Sequence, residues 1–277
     1  MDFNKSIFEN RKELGRPFFV AHRGVCGANV PCNTLAAYTI ALKQGAEVVE
    51  IDVARSKDGK LFVFHPGMEH VFLRSDKQIK DMDSGEVEAL YLVNQDGVKT
   101  SYKVPTLTQV LELLKDKAYI NVDKFWTDVE GISNEIRKVG VEKQVIVKTY
   151  VDENALEQVI KYAPDFMFMP LVWEKDTVSD YLINSGVNLI GVEALFPSED
   201  NECISDAYIE KMHNKGLLIW ANSIIYDEKA VISAHHTDDI SLTKDPELGW
   251  GWLLDKNVDF IQTDWLLMLK EYIALRE

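Results

Sequence analysis

The feature that most constrains this fold is a series of nine short apolar runs, rich in β-branched and aromatic residues. The runs are Phe18–Ala21, Val48–Val53, Leu61–His65, Tyr119–Asp123, Val145–Lys148, Phe166–Met169, Leu189–Glu193, Leu217–Asn222 and Phe260–Asp264. Amphipathic segments separate most of them, among them Thr34–Gln44, Leu107–Leu114, Asn154–Tyr162 and Ala207–Asn214. Near-continuous apolar strands that alternate with helices indicate a parallel sheet covered on both faces.

The link between the second and third runs, residues 54–60, is too short for the crossover that joins parallel strands. It contains Asp58-Gly59, a strong hairpin-turn signal, so the third run should fold back antiparallel on the second. Eight parallel strands remain. We predict an α/β fold, a (β/α)8 TIM-type barrel with an antiparallel hairpin extension formed by the second and third strands, as a single domain over residues 1–277. A turn centred on Lys57-Asp58 would place His65 opposite Glu50, within one residue.

The stretch from His70 to Thr100 lacks the pattern of a plain βα unit. It mixes charged residues with Ser84-Gly85 and short helical pieces. We predict a small insertion over the top face of the barrel, where loops carry function.

The excess of acidic residues limits the possible partners. Asp and Glu number 45 against 30 Lys and Arg, which gives a formal net charge of -15. Such a surface repels nucleic acid and anionic lipid headgroups, so we expect neither as a large-surface partner. A small phosphodiester substrate can still bind where a metal or local cations reverse the field. No residue pattern specifies an oligomeric state.

The N-terminal segment and the cysteines favour a cytoplasmic protein. The first residues mix charges throughout and lack the apolar core of a secretory signal. No apolar stretch approaches the ~20 residues that span a bilayer, so we expect no stable membrane insertion. The three cysteines, Cys26, Cys32 and Cys203, form no CxxC pair, and we predict reduced thiols.

Ionisable side chains end many of the predicted strands, at the end of a TIM barrel where active sites lie. Glu50 and Asp52 are two residues apart on one strand and therefore share a face. They repel unless a cation lies between them. A hard divalent metal is the natural partner, with Asp123 from the next parallel strand as a third oxygen ligand. The alternative is a structural network in which the acidic pair binds Lys148 or Arg23.

Several short motifs occur along the chain in a fixed order: His22-Arg23-Gly24, Pro31-Cys32-Asn33-Thr34, Glu50-Ile51-Asp52, Lys57-Asp58-Gly59 and Phe62-Val63-Phe64-His65. They resemble the HRG, PENT, ExD, KDG and HD motifs of the glycerophosphodiester phosphodiesterases. Weaker matches to that family's IExK, WTVN and closing TD segments follow at Ile120–Asp123, Trp220–Asn222 and Thr263-Asp264. The resemblance covers most of the chain. It implies a barrel enzyme of lipid metabolism that hydrolyses glycerophosphodiesters to glycerol phosphate and an alcohol.

The resemblance also implies roles for individual residues. Its metal ligands, its acid/base pair and its phosphate-binding arginine correspond to Glu50, Asp52 and Asp123, to His22 and His65, and to Arg23, respectively. A bound Mg²⁺ or Ca²⁺ would neutralise the phosphodiester. One histidine would deprotonate the attacking hydroxyl and the other would protonate the leaving alkoxide. A neighbouring glycerol hydroxyl would attack first, through a cyclic phosphate.

The chain departs from the family pattern at four positions. Cys32 replaces the glutamate of PENT, and Pro66 replaces the aspartate after the second histidine. Asp123 replaces a glutamate and is still a competent oxygen ligand. The lysine of IExK is Phe125 here, and we expect Lys124, one position early, to face away from the site.

Four further residues receive supporting roles. We expect Lys148 to replace the missing positive charge at the phosphate, with Glu193 holding its ammonium; a structural ion pair between the two is the alternative. Trp220 is predicted to form an aromatic wall of the pocket, or else to lie in the core. Asn33 either caps the following helix or orients His22.

Two other functions stay open. The first is a phosphodiesterase for a different alcohol, or a lyase that stops at the cyclic phosphate. The second is a non-catalytic barrel that binds a phosphorylated small molecule. Cys32 and Pro66 keep the second alternative open, whereas the intact histidines and carboxylates argue against it.

Overall fold

The computed structural model describes residues 1–226 and 229–276, and nine strands occur within these ranges. They are β1 (Phe18–Ala21), β2 (Val48–Arg55), β3 (Leu61–Val63), β4 (Tyr119–Asp123), β5 (Val145–Tyr150), β6 (Met167–Trp173), β7 (Gly191–Leu195), β8 (Leu218–Asn222) and β9 (Phe260–Thr263). Because β1 pairs in parallel with both β2 and β9, the eight parallel strands close into a barrel. The third strand pairs antiparallel with β2, outside the barrel. The predicted barrel with its hairpin extension is confirmed.

Polar cap residues begin several of the helices that cover the barrel. The α-helices of the described ranges are α1 (Ile7–Leu14), α2 (Leu35–Lys43), α3 (Glu69–Phe72), α4 (Ser84–Ala89), α5 (Leu107–Leu114), α6 (Val129–Val139), α7 (Glu153–Tyr162), α8 (Ser179–Ile183), α9 (Asp206–Asn214), α10 (Asp238–Thr243), α11 (Trp250–Asp255) and α12 (Leu266–Arg276). The side chains of Thr34, Thr106 and Asp152 each accept a backbone N–H of the first helical turn. Within the described residues, no helix combines the length and the apolar character that crossing a bilayer requires.

Alternate residues of the barrel strands point to the interior, where they form an apolar lower layer. Phe18, Trp220 and Phe260 stack in this layer, with ring centroids 4.9 Å apart in each neighbouring pair. Tyr119 meets Phe18 edge to face. The next inward positions along each strand lie toward the carboxyl ends, and they supply the side chains of the site.

The hairpin register agrees with the sequence prediction to within one residue. Val53 pairs with Val63 and Arg55 with Leu61, so the turn centres on Asp58. The backbone N–H of Phe64 then donates to the carbonyl of Asp52 at 2.9 Å. This register carries the residue after Phe64, the predicted catalytic histidine, to the mouth of the barrel.

The predicted insertion packs on the outside of this hairpin. Its buried side chains Ile79, Met82 and Val87 form one apolar cluster with Phe62 and Phe64. At its far end, the side-chain amide of Asn94 donates to that of Asn29 in the β1–α2 loop at 3.3 Å. The insertion therefore lies beside the barrel mouth, and none of its described residues lines the central cavity.

The prediction of three reduced thiols is wrong for two of them. Cys26 and Cys32 form a disulfide within the β1–α2 loop, whereas Cys203 is free and buried. The loop doubles back between Gly27 and Val30, which exchange two backbone hydrogen bonds. This reversal brings the Cα atoms of the two cysteines to 4.9 Å, within the range of a disulfide.

Candidate active site

Three carboxylates from two neighbouring strands meet at the carboxyl end of the barrel. The parallel register sets Asp52 beside Asp123, with Glu50 one inward position below Asp52. One oxygen of each lies within 4.8 Å of the others. Burial and the charges of Asp52 and Asp123 raise the pKa of Glu50 well above its ordinary value. Oδ1 of Asp52 is buried without a hydrogen-bond partner among the described residues. A cluster of repelling oxygens with an unused acceptor fits a hard divalent cation.

The β1–α2 loop holds two of these carboxylates. Arg23 Nε lies 3.0 Å from Asp52 Oδ2, and the backbone N–H of Arg23 donates to Glu50 Oε2 at 2.8 Å. The side-chain amide of Asn33 donates to Asp52 Oδ2 at 2.8 Å. Asn33 therefore orients a carboxylate, whereas the helix cap is Thr34. Neither predicted role of Asn33, as a helix cap or as the partner of His22, corresponds to the hydrogen bonds of this amide.

His22 lines the central cavity and is held from behind by Asp264. Its Nδ1 lies 2.8 Å from Asp264 Oδ1, so Nε2 is the ring nitrogen that Asp264 does not hold. The backbone N–H of Asp264 donates to the buried carboxylate of Asp238 at 2.8 Å. Asp238 also accepts hydrogen bonds from Ser223, Thr263 and Trp250, and its burial raises its pKa to about 6. Asp238 therefore holds Asp264 in place, and Asp264 in turn orients His22.

His65 approaches the carboxylates from the hairpin. Its Nε2 lies 3.9 Å from Asp52 Oδ1. Both ring nitrogens are buried and lack a hydrogen-bond partner in residues 1–226 and 229–276. Burial lowers the pKa of His65, against the opposing effect of Asp52. The ring is therefore available for a proton or a ligand atom that the protein itself does not supply.

Lys124 faces the cavity, contrary to the prediction that it points away. Its backbone is left-handed, with φ of 58°, directly after the last residue of β4. This one dihedral interrupts the alternation that would have turned the side chain outward. Lys124 Nζ reaches Asp123 Oδ2 at 2.8 Å. Although burial opposes the charge, Asp123 and Asp52 outweigh it and raise the pKa of Lys124. The charge missing at Phe125 is thus supplied by its neighbour.

The ion pair of Lys148 with Glu193 lies on the floor of the cavity. Lys148 Nζ is 2.6 Å from Glu193 Oε2, and the Asn222 amide donates to Glu193 Oε1 at 2.7 Å. The same ammonium lies 3.1 Å from the ring centroid of Trp220. Burial lowers the pKa of Lys148, against the opposing effect of Glu193. Trp220 is fully buried beneath this pair, so it belongs to the core and not to the cavity wall.

The other half of the cavity is apolar. It consists of side chains from β6, from β7 and from the segment after β8, namely Leu171, Trp173, Leu195, Ile224, Tyr226 and Ile232. None of these six residues was predicted from the sequence, because the predicted site consists of polar strand-end residues and Trp220. The period-two rule that places Met167 and Met169 inside the barrel also predicts Leu171 and Trp173 above them.

Carboxylates that repel one another, beside cations that attract phosphate, are suited to hold a phosphate ester at the barrel mouth. Fold and site together define a (β/α)8 barrel in which carboxylates, cations and a histidine meet at the carboxyl ends of the strands. Comparison with known families then names the group. The model of the glycerophosphoryl diester phosphodiesterase family matches residues 22–221, and the chain belongs to that family.

Individual relatives agree with this assignment. A glycerophosphodiester phosphodiesterase of Caldanaerobacter subterraneus is 31% identical over 153 residues, which are 52% of this chain and 62% of that protein. The match thus spans less than two thirds of the relative's length. The Arabidopsis thaliana glycerophosphodiester phosphodiesterase GDPD4 is 24% identical over 265 residues, 89% of this chain and 76% of that protein.

Solved structures share the fold at low sequence identity. A glycerophosphoryl diester phosphodiesterase from Parabacteroides distasonis has a TM-score of 0.74 and 19% identity, over 94% of this chain and 87% of that one. An Oleispira antarctica phosphodiesterase, solved in complex with the product sn-glycerol-3-phosphate, has a TM-score of 0.67 and 18% identity, over 95% and 98%. At these identities the likeness supports the barrel fold.

Proposed function

We propose that this protein hydrolyses glycerophosphodiesters to glycerol phosphate and an alcohol, with Mg²⁺ or Ca²⁺ held by Glu50, Asp52 and Asp123. The observation that carries the proposal is the cluster of three carboxylates within 4.8 Å, two of them buried, set at the barrel mouth beside His22 and Arg23. Membership of the family supports the reaction type. When bound, the cation would withdraw charge from the phosphoryl oxygens as a Lewis acid.

The remaining chemistry belongs to the protein's own side chains. Arg23 and Lys124 present positive charge to the phosphate, and Arg23 is fixed by its contacts with two carboxylates. Asp264 orients His22 through Nδ1, so that Nε2 can exchange a proton. His65 is the second exchanger. One histidine takes the proton of the attacking hydroxyl and the other gives a proton to the leaving alkoxide. We propose that a glycerol hydroxyl attacks first and that water opens the resulting cyclic phosphate.

The first test is turnover of glycerophosphoethanolamine with added Mg²⁺ or Ca²⁺. We expect activity with at least one of these cations and a loss of at least ~100-fold after chelation, because the carboxylate cluster by itself repels an anionic ester. Re-addition of the cation should restore the rate. Ethanolamine release is the measurement.

Three results would contradict the proposal in different ways. A rate that is unchanged after chelation would show that the reaction does not depend on a metal. Accumulation of a cyclic phosphate, visible by phosphorus NMR, would show a lyase. Saturable binding of glycerol 3-phosphate without turnover would favour the non-catalytic barrel. Lys124 supports hydrolysis over that last alternative, because it lies in the cavity and supplies the positive charge that Phe125 lacks.

A second prediction separates the roles of two lysines. Lys124→Met should raise KM at least ~10-fold, because a charged hydrogen bond to phosphate is lost, and it should cost less unfolding free energy than the change at Lys148, because its partner Asp123 is partly exposed. Lys148→Met should also raise KM and lower kcat, and in addition should cost about 3–5 kcal/mol of unfolding free energy, because Glu193 is left buried without its partner. Steady-state kinetics and urea unfolding measure the two effects.

Lys138→Met is the matched control, since this side chain is 71% exposed on α6 and lies outside the cavity. Lys138→Met should change neither KM nor the free energy of unfolding. If Lys124→Met kept the wild-type KM, Lys124 would not contact the phosphate and would only neutralise Asp123. A wild-type stability in Lys148→Met would mean that Glu193 finds another partner or becomes protonated.

The cytoplasmic location is an expectation that the cysteines no longer support. A disulfide such as Cys26–Cys32 persists in oxidising compartments and is rare where thiols are kept reduced. Mass spectrometry of the protein isolated under thiol-blocking conditions distinguishes the two states.

A further inference from the structure

The β1–α2 loop, residues 22–34, contacts one carboxylate oxygen from both of its ends. At its start, Arg23 Nε lies 3.0 Å from Asp52 Oδ2, and at its end the side-chain amide of Asn33 donates to the same oxygen at 2.8 Å. The two ends also meet each other, because the backbone N–H of Asn33 donates to the carbonyl of Arg23 at 3.0 Å. The shape of this loop therefore helps to set the position of the Asp52 carboxylate.

The two end residues need support from the rest of the loop. Arg23 and Asn33 both have a left-handed backbone, each with φ of 56°. A residue such as arginine keeps that conformation only where its surroundings impose it. The Cys26–Cys32 disulfide lies between the two ends, and Cys32 directly precedes Asn33. The disulfide thus limits the conformations of the segment that joins the two contacts with Asp52.

The position of this disulfide leaves it open to chemical reduction. Cys26 and Cys32 are both partly exposed, which gives a reducing thiolate access to the bond. Cys203 is fully buried, and burial raises the pKa of its thiol to about 12. A buried thiol of this kind is inert. We therefore expect the redox chemistry of the three cysteines to take place in the loop.

We infer that the Cys26–Cys32 disulfide is a redox switch of the active site, with the oxidised loop as the active form. The inference rests on the proposed function, because Asp52 is a ligand of the cation in that proposal. Reduction frees the segment between Arg23 and Asn33, so that their contacts with Asp52 are made only part of the time. Asp52 then binds the cation more weakly, because the partners that orient a ligand tune its affinity for the metal.

The reductant is a dithiol. One of its thiolates attacks a sulfur of the Cys26–Cys32 bond, which breaks as a mixed disulfide forms. The second thiol of the dithiol then displaces the protein sulfur. The protein gains two electrons and two protons as two thiols, and the dithiol is oxidised to a disulfide. The reverse exchange restores the loop.

The test measures the protein in buffers of reduced and of oxidised dithiothreitol, with alkylation and mass spectrometry to count its thiols. We expect reduction to lower kcat/KM for glycerophosphoethanolamine ~10-fold and to weaken cation binding, followed by the shift in Tm, by a similar factor. Reoxidation should restore both. Cys26→Ser combined with Cys32→Ser should give the lower values in both buffers. Cys203→Ser is the matched control and should respond to the buffers as the wild type does.

Hydrogen exchange of the wild type gives a readout that needs neither turnover nor a cation. The backbone N–H groups of Gly27 and Val30 each donate to the carbonyl of the other, at 3.0 and 2.9 Å. On reduction, the peptide that covers residues 22–34 should exchange at least ~10-fold faster, because these hydrogen bonds open more often. Strand β2 should keep its protection.

The outcomes separate this inference from the proposed function. Equal kcat/KM, cation binding and hydrogen exchange in the two buffers would overturn the switch and leave the phosphodiesterase intact. A response that persists when both loop cysteines are serine, or that disappears in Cys203→Ser, would also overturn it. If neither buffer gave turnover with either cation, the proposed function would be wrong. Hydrogen exchange would then decide the switch: faster exchange of the loop on reduction would support it, and unchanged exchange would overturn it.

Discussion

Glu50→Gln combined with Asp52→Asn is expected to abolish metal-dependent activity while the fold stays intact or becomes more stable. In the wild type, burial and neighbouring charges raise the pKa of Glu50, so the ionised cluster opposes folding when no cation is present. The two amides remove that repulsion and the anionic ligands together. In the presence of a chelator, the Tm of the double variant should therefore be equal to or higher than that of the wild type.

The sharper measurement is the effect of the cation on Tm. A ligand at ~100 times its Kd stabilises the native state by about 2.7 kcal/mol, a rise of several degrees for a domain of this size. The wild type should show this shift, and the double variant should not. Glu112→Gln with Glu157→Gln, two exposed positions on α5 and α7, removes the same formal charge outside the cavity and should keep it. A full shift in the double variant would refute the assignment of these ligands.

His22→Ala and His65→Ala are each expected to lower kcat by at least ~100-fold with little change in cation binding, because general acid and base catalysis contributes about 10²–10⁴. The geometry explains why both matter. Asp264 orients His22, and Nε2 of His65 lies 3.9 Å from Asp52, with no hydrogen-bond partner for the ring in the part of the chain that the structure describes. The pH profile of kcat/KM should be bell-shaped in the wild type, and each variant should lose one limb.

His70→Ala is the matched control, because His70 lies in the insertion with 83% of its side chain exposed. Its rate and pH profile should equal those of the wild type. If His22→Ala or His65→Ala instead kept a near wild-type rate, that histidine would be structural and a mechanism with two histidines would be wrong. The thermal shift by the cation, measured on the same variants, shows whether a slow variant still binds metal.

The barrel and its carboxylates follow from local patterns in the sequence. Strands alternate their side chains with a period of two, so Glu50 and Asp52 had to share a face wherever the strand lay. The short link at Asp58-Gly59 left the hairpin as the only connection that the chain length allows. Parallel strands end at one edge, which brings Asp123 to the same place. All of these features follow from strand geometry and from the length of the links between strands.

Other features depended on tertiary structure, because each turns on one dihedral or one distant contact. The direction of Lys124 follows from a left-handed backbone just past a strand end, where period-two alternation no longer applies. The reversal of the β1–α2 loop joins Cys26 to Cys32, and spacing alone does not specify a pairing. Asp238 reaches Asp264 across 26 residues of sequence, through a network in which every partner lies in another segment. The sequence determined the barrel, its hairpin and three carboxylates; packing decided which charges and which apolar side chains face them.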